Sequence, residues 1–183
     1  MLNIEDSALI IIDIQDKLVM ASKYGAEVAT NAAKLAKAAN ILGIKTIVTE
    51  QYPQGLGDTV TEVQEALSTE HEKFEKKAFS ALLEENIANK ITELKSNKIK
   101  QIALCGIETH ICVLQTASDL ISQGFEVYIV KDACASRNKK EYKTGLELLK
   151  QYGAKITCVE IALFEWLKTA KHPNFKEVQT LIK

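Results

Sequence analysis

Residues 8–12 read ALIII, five apolar residues without a break, followed at once by Asp13. Successive side chains of a strand point to opposite faces, so an unbroken apolar run is buried on both. That is the signature of a central strand in a parallel sheet covered by helices. The run is too short to cross a bilayer, which needs about 20 apolar residues in a helix.

The rest of the chain repeats this logic. Short β-rich runs at 7–14, 44–50, 71–76, 99–105, 126–132 and 154–160 alternate with stretches of helical spacing at 24–42, 85–97 and 109–123. The 71–76 run, HEKFEK, is the weakest of the strands. Gly43, Gly124 and Gly153 are helix stops. Thr59 and Glu62 read as a capping box for a short helix, and Asn138 and Glu141 as the start of another. One or two helices are expected at the C-terminal end.

Strands that alternate with helices form right-handed βαβ units. The expected fold is α/β: a three-layer, Rossmann-like, mostly parallel six-stranded sheet with helices on both faces. No linker, repeat or low-complexity tract divides the 183 residues, so residues 1–183 read as one domain. With strand order 3-2-1-4-5-6, ligands bind at the switch point beyond the carboxyl ends of strands 1 and 4.

Composition narrows the partners. Lys and Arg number 23 against 24 Asp and Glu, a formal net charge of −1. There is no basic excess for phosphate contacts, so nucleic acid is not an expected partner. The opening MLNIEDSALIIID lacks a basic region ahead of a long apolar stretch, so a cytoplasmic protein with no membrane association is expected. The four cysteines, 105, 112, 134 and 158, form neither a CxxC pair nor a zinc-type cluster. Cys105 and Cys158 fall in expected strands and read as core, and Cys134 falls in an expected loop.

Three reactive side chains fall at strand ends. Asp13 closes the first strand; it is either a turn or capping residue, or a buried carboxylate that must find partners. Cys112 stands in GIETHIC, 106–112, within the first turn of a helix expected to begin with Thr109 as N-cap. Free backbone N–H groups and the helix dipole favour thiolate there; the plainer alternative is a cysteine buried under its helix. Lys76 ends the third strand, with a solvated lysine as its alternative. His110 is two residues from Cys112 and points away from it on a helix. His71 and His172 form no HExxH pattern, and no GxGxxG follows the first strand.

These residues carry a resemblance. ALIIIDIQ with Asp13, TEQYPQGLG, Lys76-Lys77-Ala78-Phe79-Ser80-Ala81, CGIETHICVLQTA and DACASR at 132–137 together resemble the isochorismatase-like cysteine hydrolase superfamily. The likeness runs nearly end to end. TEQYPQGLG and LFEWLKTAKHPNFKEV resemble the branch of isochorismatase-domain proteins whose substrates are undefined.

The resemblance implies a catalytic set: Cys112 as nucleophile, Asp13 as the carboxylate that takes its proton, and Lys76, three residues before Phe79, as the cation that steadies both. It also implies a non-proline cis peptide between Ile107 and Glu108, with backbone N–H groups there and at Cys112 facing an oxyanion. Gln15, Tyr52 and Leu56 are candidates for shaping or contacting a small-molecule substrate. Ser136 and Arg137 either anchor an anion or hold a turn. Metal-dependent nicotinamidases of the superfamily carry Asp-x-His after the second strand; Glu50-Gln51-Tyr52 stands here, so neither metal nor other cofactor is expected. True isochorismatases can replace the cysteine; its presence favours hydrolysis of an amide or related carbon–nitrogen bond through a thioester. The alternatives are a non-catalytic assembly protein and a thiol sensor with Cys134 as resolving partner. A homo-oligomer is expected from the wide apolar helix faces in AANILG and ALFEWL, with Trp166 or its neighbours near the interface.

Overall fold

A computed structural model describes all residues, 1–183. Six parallel strands form one sheet in the order β3-β2-β1-β4-β5-β6. They are β1 (Ser7–Ile12), β2 (Lys45–Gln51), β3 (Glu72–Lys76), β4 (Gln101–Ile107), β5 (Glu126–Ala135) and β6 (Lys155–Thr157). The helices between them are α1 (Asp16–Ala21), α2 (Gly25–Leu42), α3 (Pro53–Leu56), α4 (Thr61–Gln64), α5 (Glu85–Ser96), α6 (Leu114–Ser122), α7 (Lys139–Gln151), α8 (Val159–Leu167) and α9 (Phe175–Thr180). The order and the switch point between β1 and β4 are those expected from the sequence.

Every residue of β1 and of β4 is buried, as their apolar runs require. α2 lies over the sheet on an alanine-rich face that includes Ala29, Ala32, Ala36 and Ala39, all buried. Small side chains let the helix axis approach the strands closely. Gly43, in the left-handed region at φ 69°, ends it.

Several local expectations fail for physical reasons. Strand β1 stops at Ile12 because Asp13 turns to φ 50°. Thr59 caps no helix: it forms an isolated bridge to Gln15 and gives its hydroxyl and backbone N–H to Glu50, while Val60 precedes α4. Strand β5 continues to Ala135, so Cys134 is buried strand rather than loop. From Ile129 to Cys134, β5 takes five steps against two from Leu104 to Gly106 in β4, a bulge of three extra residues. Strand β6 is shorter than its apolar run, and Cys158 caps α8. Trp166 is buried within its own chain, its ring N–H donating to Ser7 Oγ at 3.2 Å; the exposed apolar residues of α8 are Ile161 and Phe164.

Candidate active site

Asp13 sits one residue past β1, with no exposed surface. Its backbone N–H donates to Thr49 O at 3.1 Å, and the Thr49 hydroxyl donates to its Oδ1 at 2.6 Å. Its Oδ2 faces the Lys76 ammonium at 2.7 Å, and both side chains are wholly buried. Lys76 is the last residue of β3 and pairs in register with Gln51, the last residue of β2. Its Nζ also donates to Gln51 Oε1 at 2.7 Å and to the carbonyls of Ala78 and Phe79, each at 3.2 Å. Lys76 is therefore no solvated lysine.

Cys112, 7% exposed, feels both charges. Burial pushes its thiol up to about 12; the Asp13 carboxylate pushes the same way and the Lys76 ammonium opposes. Burial and the carboxylate thus work against the thiolate that a helix N-terminus alone would favour. Burial also raises Asp13 above the usual carboxylate range, against the pull of Lys76 and the hydrogen bond from Thr49.

The segment that carries the thiol starts differently from expectation. Glu108, not Thr109, stands at the N-cap, and residues Thr109–Val113 form a π-helical turn ahead of α6. The Ile107–Glu108 peptide is cis. This turn is braced by the end of β5. The Glu108 carboxylate accepts from the Arg137 backbone N–H at 2.9 Å and from its Nε at 3.0 Å, and His110 Nδ1 lies 2.9 Å from Ser136 Oγ. Ser136 and Arg137 thus hold the turn, and His110 is engaged with Ser136. The Thr109 hydroxyl is buried with no partner in the protein.

The expected pocket residues divide. Gln15 is fully buried: its Nε2 donates to Gln51 O at 3.1 Å and Gly57 O at 2.6 Å, and its Oε1 accepts from Gln51 N at 2.7 Å. Both amide protons are engaged, so Gln15 acts as a clamp that shapes the 51–57 loop. Tyr52 is half exposed at φ 39°, and its N–H donates to Lys76 O at 3.0 Å. It lines an open cavity of about 320 Å3 with Pro53, Gln54, Glu75, Lys76 and Glu84. Leu56, partly buried at the end of α3, does not line that cavity. Glu50, at the position where nicotinamidases begin their metal motif, is occupied by Thr59 and Lys73. Burial works against its charge, but those partners prevail and hold it below the usual carboxylate range. No group of three or more His, Cys, Asp or Glu side chains is arranged to hold a metal ion.

A second cavity, about 260 Å3, opens between α2, the β5 bulge and α7, with Tyr24, Val28, Cys134 and Tyr142 in its walls. It is the more apolar of the two; Cys112 lines neither cavity, and Lys76 lines only the first. Cys134 belongs to the second cavity, and its thiol is pushed by burial to about 12.

Sequence reasoning missed Thr49 and Gln51. Neither carries a local signal, because their partners are 36 and 25 residues away in the chain.

A parallel α/β sheet thus brings a buried thiol, carboxylate and ammonium together at its switch point. The isochorismatase domain matches residues 7–161, and this chain belongs to that family. It is 39% identical over 179 residues to isochorismatase domain-containing protein 2 of Xenopus laevis, covering 96% of this chain and 83% of that one. A solved structure described as the MAR1 ribonuclease of Caenorhabditis elegans superposes with a TM-score of 0.93 at 39% identity, over 99% of this chain and 91% of that one. The YcaC product of Escherichia coli, described as an octameric hydrolase of unknown specificity, shares the fold at TM-score 0.85 and 21% identity, over 98% of this chain and 94% of that one. No helix is long and apolar enough to cross a membrane.

Proposed function

We propose that this protein is a metal-independent cysteine hydrolase acting on a small amide or related carbon–nitrogen substrate. The observation that carries this reading is the fully buried Asp13–Lys76 ion pair, 2.7 Å long, beside the Cys112 thiol. Burial makes Asp13 a stronger base than an ordinary carboxylate, and Lys76 steadies the charge as it moves. Asp13 takes the proton from Cys112 Sγ as the sulfur bonds to the carbonyl carbon. Backbone N–H groups of the 107–112 turn hold the oxyanion. Collapse breaks the carbon–nitrogen bond, and the leaving amine takes the proton from Asp13. Water, deprotonated by Asp13, then opens the thioester and releases a carboxylic acid and the free thiol. Tyr52 and Leu56 stand on the loop that borders the substrate, and Gln15 fixes that loop. The protein works as a homo-oligomer in the cytoplasm, as an octameric relative of the same fold favours for the assembly.

The test is a panel of small amides incubated with wild type and Cys112→Ser, read by intact mass. An acyl adduct on wild type that is absent from Cys112→Ser is the expected result; turnover that survives in Cys112→Ser refutes the reading.

A second reading comes from the ribonuclease description of the 39% identical structure. Incubation with a single-stranded RNA separates the two: cleavage abolished in Cys112→Ser would put RNA among the substrates. The near-balanced charge of this chain, 23 basic against 24 acidic residues, favours the small amide.

A further inference from the structure

An ammonium has three protons to give, and Lys76 Nζ has four acceptors around it. Two are backbone carbonyls at 3.2 Å, one is the Asp13 carboxylate at 2.7 Å, and the last is Gln51 Oε1, also at 2.7 Å. The only close neutral acceptor is therefore the Gln51 side chain. Its carboxamide is fixed in turn: Nε2 donates to Lys77 O at 2.8 Å, and the backbone N–H and C=O of Gln51 are both bonded to the Gln15 amide. Gln51 is also the residue that hands β2 over to the Tyr52–Leu56 loop.

We propose that Gln51 is a positioning residue that seats the Lys76 ammonium against Asp13 and ties this ion pair to the loop that lines the cavity. The proposal rests on the role given to Lys76 above. The chemistry explains why an amide stands there. A neutral oxygen fixes the ammonium without cancelling its charge, so Lys76 keeps its full pull on Asp13 and Cys112. A glutamate would hold the same proton but add a negative charge beside both groups. An aliphatic side chain would leave the ammonium with one strong acceptor and two long ones.

The test uses the full-length protein and two readouts. The first is the ammonium 15N–1H NMR signal of Lys76, assigned by its loss in Lys76→Met; a buried, fully bonded ammonium exchanges its protons slowly enough to be seen. The second is the rate of Cys112 alkylation by iodoacetamide at pH 8, read by peptide mass. In Gln51→Leu the Lys76 signal should broaden beyond detection and alkylation should slow about three- to tenfold. Gln51→Glu should restore the signal, because it keeps the acceptor, yet still slow alkylation through its charge. The double variant Gln51→Leu/Lys76→Met should be no slower than Lys76→Met alone. Gln51→Asn, which withdraws the oxygen by one methylene, replaces Gln51→Leu if the latter does not fold.

An unchanged signal and unchanged alkylation in Gln51→Leu would overturn the proposal. So would rates that simply multiply in the double variant, or a wild type with no signal that depends on Lys76. If Gln51→Leu removes the signal while Lys76→Met leaves alkylation untouched, the seat is supported and the role of Lys76 in the hydrolase reading fails.

Discussion

Asp13, Lys76 and Cys112, spread over 99 residues of sequence, come together in one buried cluster. Neither charge of the Asp13–Lys76 pair has exposed surface, so each is tolerable only while the other is present. Removing one partner of such a pair strands the other. Lys76→Met should therefore destabilise the protein by about 3 kcal/mol at pH 8. The sign of its pH dependence follows from Asp13. Burial already raises the Asp13 carboxyl, and losing Lys76 raises it further, so the stranded group escapes its penalty by binding a proton. The cost should shrink as pH falls from 8 to 5, measured by chemical denaturation at both. A cost that grows toward pH 5 would contradict this account. Their places at or after strand ends mark Asp13, Lys76 and Cys112 only as candidates, each with a structural alternative; their grouping as a set rests on the family resemblance. The sequence did not announce the thiol's charge state. A helix start favours thiolate, but 7% exposure and a nearby carboxylate outweigh it, and neither is a property of the local sequence.

At the scale of elements, the approach of β4 to β1 decides whether the site forms at all. Gly106 pairs with Ile12 at φ 137°, and a Cβ there would collide with the Ile12 carbonyl oxygen. Gly153, at φ 100°, has open space around it. Gly106→Ala should thus cost well over about 3 kcal/mol or prevent folding, whereas Gly153→Ala should cost only about 1 kcal/mol, the strain of a left-handed alanine. Thermal or denaturant unfolding of the two variants measures the contrast; equal losses would refute it. Elements with an unbroken apolar run or a glycine stop were legible in the sequence: α2 to within a residue, and β1 at its start, though not its end at Ile12. Those set by long-range pairing were not. The β5 bulge, the reassignment of Thr59 to Glu50, and the clamp role of Gln15 all depend on partners from other strands, which no local pattern reveals.

At the scale of the whole molecule, the three-layer order followed from alternation alone, because only one handed arrangement covers a parallel sheet on both faces. The surface is where that legibility ended. The expected interface is at Trp166 or its neighbours; Trp166 is core, and the apolar surface nearby belongs to its neighbours Ile161 and Phe164. Light scattering should still give at least twice the chain mass; a single-chain mass across a wide concentration range would contradict the homo-oligomer. The site itself draws on the ends of β1, β2, β3 and β4 at once, so its three groups should respond to one another's removal. The most direct measurement is the pH profile of Cys112 alkylation by iodoacetamide, read by peptide mass, in wild type, Asp13→Asn and Lys76→Ala. In wild type the rate should climb steeply with pH from 7 upward, toward the thiol's value of about 12. Losing the carboxylate should move that profile to lower pH and losing the ammonium to higher pH, each by about half a unit or more. Profiles that coincide in all three proteins would mean that Asp13 and Lys76 do not govern the thiol, and the account would fail.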